Sequence, residues 1–434
     1  MSEIGKDKFS SKWGFILACS GSAIGMGNIW LFPYRIAELG GAAFLIPYII
    51  CVICLGFVGL LGEMSLGRFT GRGPIGAFTK TLELRGADNS LGGFFGWMSV
   101  IVTFVTTVGY SVVIAWIVRF MAGAITGSAF NAADSAQYFS SVTTNHILLW
   151  IIVTLFIAYA TMFRGVEKGI EKANNIMMPL FLILFIALAV RSAFLPNAIE
   201  GYKYLFVAKW EFLFNTRTWI LALAQAFYSL SIFGSTMIVY GSYAKKSENI
   251  VTSARNVVIF DTAASLLASI VIIPAVFAFG KNLNSGASLM FITMPEIFKI
   301  MPFGRLFMII FFAAILFAGL TSFISILEVV VETLQNHFHI KRFKAVAIVI
   351  SLIFIGNIWI NGELGAFMDI LQMYFVPVCA LVSGIFVFWV LPTKLFSQEV
   401  EIGRNKPISK WVIFMGRYVF CALIIIIYIL NILG

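Results

Sequence analysis

The chain has 434 residues, of which 60% are hydrophobic and only 12% charged, and its mean hydropathy is +0.96. A soluble domain carries roughly 25% charged residues, so an ordinary cytosolic enzyme, a disordered chain and a secreted disulfide scaffold are excluded, and lipid is the solvent for most of the polypeptide. The net charge of +10 comes with no basic run longer than Lys245-Lys246, so it reads as a positive-inside bias and not as a surface for nucleic acid.

Stretches free of Asp, Glu, Lys and Arg run over 13–34, 39–62, 89–118, 135–163, 173–190, 218–244, 262–280, 306–327, 345–362, 370–393 and 418–434. Each is about as long as the roughly 17–25 residues of a helical crossing. No ten-residue alternating segments occur, which rules out a β-barrel. The expectation is an all-α membrane protein with eleven transmembrane helices. The polar stretch 282–295 reads as an external or re-entrant loop. Cys19, Cys51, Cys54, Cys379 and Cys421 all fall in apolar stretches and read as small buried hydrophobes. Lys and Arg in the connections split 21 to 9 between the two sides, placing the N-terminus in the cytoplasm and the C-terminus outside. Short loops and the absence of any Asn-x-Ser/Thr sequon suit a bacterial inner membrane. No obligate protein partner is visible.

Two spans carry segments poorly suited to a continuous helix. The first holds Gly21-Ser22-Ala23-Ile24-Gly25-Met26-Gly27-Asn28 followed by Pro33, with three glycines in seven residues. The sixth holds Ser229-Leu230-Ser231-Ile232-Phe233-Gly234-Ser235. Small residues that pack helices recur every fourth position, whereas these are consecutive; for the sixth span a packing face is an equal reading. Unwound at mid-membrane, such segments free carbonyls for a cation and N–H groups for an anion. Breaks in the first and sixth spans are the pattern of a five-plus-five inverted repeat with one extra helix. The segments are then 1–12 (cytoplasmic N-terminus), 13–192 (first repeat), 193–216 (extracellular loop), 217–393 (second repeat), 394–410 (cytoplasmic loop) and 411–434 (span 11).

Trp13-Gly14-Phe15, the Gly-Ser-Ala-Ile-Gly-Met-Gly-Asn-Ile-Trp run, Gly40-Gly41-Ala42-Ala43-Phe44, Gly62-Glu63-x-x-x-Gly67-Arg68, Ser229-Leu230-Ser231 and Phe317-Ala318-Gly319-Leu320-Thr321-Ser322 resemble the neurotransmitter:sodium symporter family and its bacterial amino-acid transporters. The resemblance implies two sodium sites. The first would use the Ala23 carbonyl, Asn28, Ser229, Asp261 and the substrate carboxylate. The second would use the Gly21, Ile24 and Ala318 carbonyls with the Thr321 and Ser322 hydroxyls. By residues alone, Thr321 and Ser322 read as back-bonding to the preceding helical turn. Members that need chloride hold it with groups matching Tyr48, Gln225, Ser229, position 261 and Ser265. A carboxylate at Asp261 already supplies that negative charge, so chloride is not expected to be required, and Asp261 would take up a proton once sodium leaves.

For substrate, the Met26 and Gly27 amides and the Tyr110 hydroxyl would hold a carboxylate. The Ala23, Tyr228, Ser229 and Ser231 carbonyls would hold an ammonium, a pairing that selects an α-amino acid. The side-chain pocket would be lined by Thr106, Phe227, Phe233, Gly234, Ser322 and Ile326. Phe233-Gly234 inverts the usual Gly-Phe order, which suggests room for a bulky apolar or aromatic side chain. The outer gate retains Asp369, but Leu31 stands where relatives carry Arg, leaving Arg35 one turn further out. At the inner gate Lys6-x-x-Phe9 stands where Arg and Trp are usual and Asn336 where Asp is usual, with Glu332 the expected partner of Lys6. Glu63 is expected to touch the unwound first span. The function implied is sodium-coupled amino-acid symport. The rivals are a proton-coupled permease of the same architecture and a non-transporting amino-acid sensor. No catalytic pairing lies within the spans.

Overall fold

Eight helices in the computed structural model are long and apolar enough to cross a membrane, and two further bent pairs pass the same test. Residues 7–281, 286–360 and 364–433 are described, and every regular element among them is helical. The eight are Ala42–Thr70, Asn89–Thr126, Val166–Ala193, Ile250–Ala278, Gly304–His337, Arg342–Trp359, Met373–Val390 and Lys410–Leu430, which are spans 2, 3, 5, 7, 8, 9, 10 and 11. Span 1 is the pair Lys12–Ala23 and Gly27–Glu38, bent by 57°. Span 4 is Ile147–Met162, set at 74° to the short helix Ser135–Thr144 before it. Span 6 is split into Thr216–Ser229 and Thr236–Tyr243. All eleven charge-free stretches therefore coincide with helical segments.

Both expected interruptions are present, and each has a local cause. In span 1 the helix ends at Ala23 and Ile24 turns extended (φ −73°, ψ 109°). In span 6, Ser231 (φ 53°) and Gly234 (φ 71°) both occupy the left-handed region. Glycine adopts that region freely, whereas Ser231 pays a steric cost there and is held by its hydroxyl, which donates to the Ser22 carbonyl at 3.0 Å.

Span 1 lies at the centre, packed on spans 5, 7 and 8. Spans 2 and 6 cross at backbone contact: a Cβ on Gly67 would lie 1.9 Å from the Ile238 carbonyl oxygen, and one on Gly241 would lie 2.3 Å from that of Met64. Lipid-facing residues are large and apolar, among them Phe156, Ile183, Leu352 and Trp359.

The 193–216 connection contains a helix, Ala198–Phe206, and a 3-10 turn, Trp210–Phe214. It covers the Glu38 end of span 1: Tyr204 Oη donates to the Ala37 carbonyl at 2.6 Å, Lys209 N donates to the Gly40 carbonyl at 3.1 Å, and Arg217 pairs with Glu38 at 2.6 Å. The 282–295 stretch is described from residue 286 and is helical over Leu289–Thr293, running into Met294–Ile300. Leu289, Met290 and Phe291 there are buried, so this part is packed structure and not an open loop.

Candidate functional site

The break in span 1 faces the break in span 6, and the polar residues of both converge on span 7. Asn28 Nδ2 lies 2.7 Å from Asp261 Oδ1, 2.9 Å from Ser229 Oγ and 2.8 Å from Ser265 Oγ. Its Oδ1 accepts from the Gly25 amide at 2.9 Å. Ser229 Oγ lies 2.8 and 2.7 Å from the two Asp261 oxygens. Asp261 is fully buried, and among the described residues it has no Lys or Arg ion-pair partner. A buried carboxylate without a countercharge calls for a cation. Three of the four groups expected at the first sodium site thus meet; Ala23 ends the helical segment before the break in span 1, and Asn28 lies in the segment after it.

Around the same break, glycines admit neighbours that a side chain would block. A Cβ on Gly25 would stand 3.0 Å from Tyr110 Oη and 3.1 Å from Ser322 Oγ, and one on Gly27 would stand 2.7 Å from the Tyr228 ring. Tyr110 Oη accepts from the Met26 amide at 3.4 Å. Met26, Gly27, Tyr110, Tyr228 and Ser322 therefore surround one point. Ser322 Oγ donates to the Ser22 carbonyl at 3.2 Å, so that carbonyl joins spans 1, 6 and 8. Sequence reasoning passed over Ser22.

Of the residues expected at the second sodium site, Gly21, Ala318 and Thr321 come together, with Thr321 back-bonded and Ser322 turned to the Ser22 carbonyl. Thr321 Oγ1 donates to the Phe317 and Ala318 carbonyls at 2.9 and 3.0 Å, and Gly21 lies directly against Thr321. The chloride-type positions are buried around Asp261: Gln225 Nε2 donates to the Gly27 carbonyl at 3.1 Å, and Ser265 Oγ donates to the Asp261 carbonyl at 3.1 Å.

The side-chain pocket departs from expectation at Gly234. A Cβ there would meet the Cys379 carbonyl at 2.9 Å and Ser383 Cβ at 3.1 Å. Span 10 fills the direction in which the missing phenylalanine would have left room, so Gly234 opens no space by itself. Phe233 turns to Tyr228, with ring centroids 6.2 Å apart, and Phe227 turns to Phe420 of span 11 at 5.2 Å. Thr106 bonds back to Val102, and Ile326 is buried in span 8.

Glu63 also binds elsewhere than expected. Its Oε1 accepts from the Gly234 amide at 2.7 Å, so it ties down the break in span 6 and not that in span 1. Residue pattern placed a carboxyl near an unwound backbone; which of the two breaks it met depended on helix crossing.

Above the site a cavity of about 270 Å³ is lined by residues including Arg35, Gln225, Phe227, Tyr228 and Met373. Arg35 Nε has no hydrogen-bond partner there. The side chain of Asp369, its expected gate partner, lies outside the described residues.

At the opposite end, polar groups tie the N-terminal segment to spans 5 and 9. Glu171 accepts from Ser10 N, Ser10 Oγ, Ser11 N and Ser11 Oγ at 2.6–3.1 Å, and Ser11 Oγ caps Gly14 N at 2.9 Å. A carboxylate and a serine cap at a helix N-terminus satisfy its free amides and its dipole. Arg342 binds Glu328 at 2.9 and 2.8 Å through both terminal nitrogens and Asp7 at 2.9 Å, and Tyr243 Oη donates to Glu328 at 2.8 Å. Phe9 seats its ring against Phe15, Tyr240 and Tyr243. Glu332 accepts from Gly73 N at 2.7 Å and Asn336 Nδ2 at 2.6 Å; Lys6, its expected partner, lies outside the described residues. The ion pairs at this end thus run through Asp7, Arg342 and Glu328. Glu328 and Glu332 are four residues apart on one helix face, but nothing local points to Arg342 at the start of span 9.

Comparison with known proteins identifies the family and the fold. A family model described as the sodium:neurotransmitter symporter family matches residues 6–146 and 136–434. The chain is 38% identical to the sodium-dependent transporter YhdH of Bacillus subtilis, over 79% of this chain and 76% of that one. It is 31% identical to the sodium-dependent transporter MJ1319 of Methanocaldococcus jannaschii, over 95% and 87%. The crystal structure of MhsT in complex with L-phenylalanine superposes with a TM-score of 0.87 at 31% identity, covering 98% of this chain and 99% of that one.

Proposed function

Because the chain belongs to the sodium:neurotransmitter symporter family, a family of membrane transporters and not of enzymes, we propose that it couples sodium to the import of an α-amino acid by alternating access, without needing chloride. The observation that carries this reading is the buried, unpaired Asp261 carboxylate ringed by Asn28, Ser229 and Ser265. A cation seated there balances the charge, and a chloride beside it would add a second negative charge at low dielectric. Sodium leaving toward the cytoplasm leaves Asp261 to take up a proton, which keeps the empty carrier neutral at that point.

The substrate carboxylate would complete the first sodium shell while the Met26 and Gly27 amides and Tyr110 hold its other oxygen. The Ala23, Tyr228, Ser229 and Ser231 carbonyls would hold the ammonium. A second sodium would bind between Gly21, Ile24, Ala318, Thr321 and Ser322. The walls around the substrate side chain include the Tyr228 and Phe233 rings, which supports a bulky apolar or aromatic amino acid; L-phenylalanine in the MhsT complex supports the same class.

In this reading the N-terminus is cytoplasmic in a bacterial inner membrane. The cavity above the site then opens outward while Glu171 and Arg342 seal the inner end. Each net charge entering with sodium is driven by about 2.3 kcal/mol per 100 mV, enough for steep accumulation. Uptake of labelled phenylalanine, tryptophan, tyrosine and leucine into proteoliposomes tests it. Sodium-dependent uptake with mutual competition is expected. Uptake driven equally by a proton gradient in potassium would favour a proton-coupled permease, and binding without uptake a sensor.

A further inference from the structure

Asn174, near the inner end of span 5, is fully buried. Its Nδ2 donates to the Ile170 carbonyl at 2.9 Å, which fixes the amide and leaves Oδ1 pointing the other way, with no hydrogen-bond donor. What it points at is Gly21. A Cβ built on Gly21 would lie 2.1 Å from Asn174 Oδ1, 3.0 Å from Thr321 Cβ and 3.2 Å from Met178 Sδ. Thr321 in turn shares the Ala318 carbonyl. One buried amide oxygen from span 5 therefore faces the junction of spans 1 and 8 at which the second sodium is placed.

We propose that Asn174 Oδ1 is a further oxygen ligand of the second sodium. Sodium takes hard oxygen ligands, and the expected set comes from spans 1 and 8 alone. An amide oxygen is a hard ligand, and a lone one in apolar surroundings is costly unless something binds it. A weak Cα–H···O contact from Gly21 is the competing account of the same approach; it would make Asn174 a packing residue indifferent to sodium. This proposal rests on the reading of Gly21, Ala318 and Thr321 as a sodium site.

The test is binding of radioactive sodium to the full-length protein in detergent, with potassium as the replacing ion and melting temperature recorded in both ions. For Asn174→Ala the half-saturating sodium concentration of one binding component is expected to rise about tenfold, as for loss of one interaction with a charged group. Its melting temperature in potassium should stay unchanged. Asn174→Asp, which keeps an oxygen and adds charge, should bind sodium more tightly than both Asn174→Ala and the unaltered protein. Thr321→Ala serves as the control for the site itself and should also weaken one component. If Thr321→Ala weakens it and Asn174→Ala does not, the role of Asn174 is overturned and the site stands. If both titrate like the unaltered protein, the site falls and the Asn174 proposal with it. An equal loss of melting temperature in sodium and potassium would make Asn174 structural, and should Asn174→Ala not fold, unaltered affinity in Asn174→Asp would overturn the proposal.

Discussion

Replacing Asp261 with Asn removes the charge on which the sodium reading depends while keeping shape and one acceptor. Asp261 Oδ1 stands 2.7 Å from Asn28 Nδ2 and 2.8 Å from Ser229 Oγ, so a cation shared by these groups lies close to the carboxylate. Two unit charges about 4 Å apart at an effective dielectric of about 20 attract by about 4 kcal/mol. The retained amide oxygen and local relaxation offset about half of this, leaving about 2 kcal/mol, or about thirtyfold in affinity. Asp261→Asn should therefore raise the half-saturating sodium concentration for uptake about thirtyfold. It should also make uptake respond to chloride, since an anion near Tyr48, Gln225, Ser229 and Ser265 restores the missing charge. The assay is sodium titration of uptake in proteoliposomes, in chloride and in gluconate. An unchanged sodium titration in a variant of unchanged melting temperature would refute the reasoning.

The remaining predictions probe the frame around the site. Gly67→Ala places a Cβ against the Ile238 carbonyl at 1.9 Å and should lower the melting temperature in detergent, with overpacking costing about 1–3 kcal/mol. Gly93→Ala, in a helix with open space around it, should not lower it; equal losses in the two would contradict the close crossing. Glu63→Gln keeps an acceptor for the Gly234 amide and should fold with near-normal stability, whereas Glu63→Leu strands that amide at about 1–3 kcal/mol; equal melting temperatures would contradict the bond. Arg342→Ala removes the tie between Asp7 and Glu328 and should speed modification of the buried Cys19 by a soluble thiol reagent, in a variant whose other cysteines are replaced. An unchanged rate would mean that the inner closure does not depend on Arg342.

The all-helical membrane fold and the two breaks could be read from the sequence because their causes are local: charge-free runs of membrane length, and consecutive small residues that cannot sustain a helix. Asp261 stood out for the same reason, as a carboxylate at the edge of an apolar run. What could not be read were the pairings between spans. Glu63 announced the need for a partner but not that Gly234 would supply it. Gly234 suggested space, yet the Cys379 carbonyl of span 10 occupies it. Nothing in the sequence singles out Glu171, Asn174 and Arg342, and only packing brings them to Ser10 and Ser11, to Gly21, and to Asp7. Local composition shows that a polar group needs a partner; the crossing of helices distant in sequence decides which one.

Counterflow of a labelled amino acid across proteoliposomes tests the central claim most directly, with gluconate replacing chloride on both sides and sodium then exchanged for potassium. Exchange should persist in gluconate and disappear in potassium. Exchange that continues in potassium, or that stops when chloride is removed, would contradict the assignment of Asp261 as the fixed charge of a sodium site.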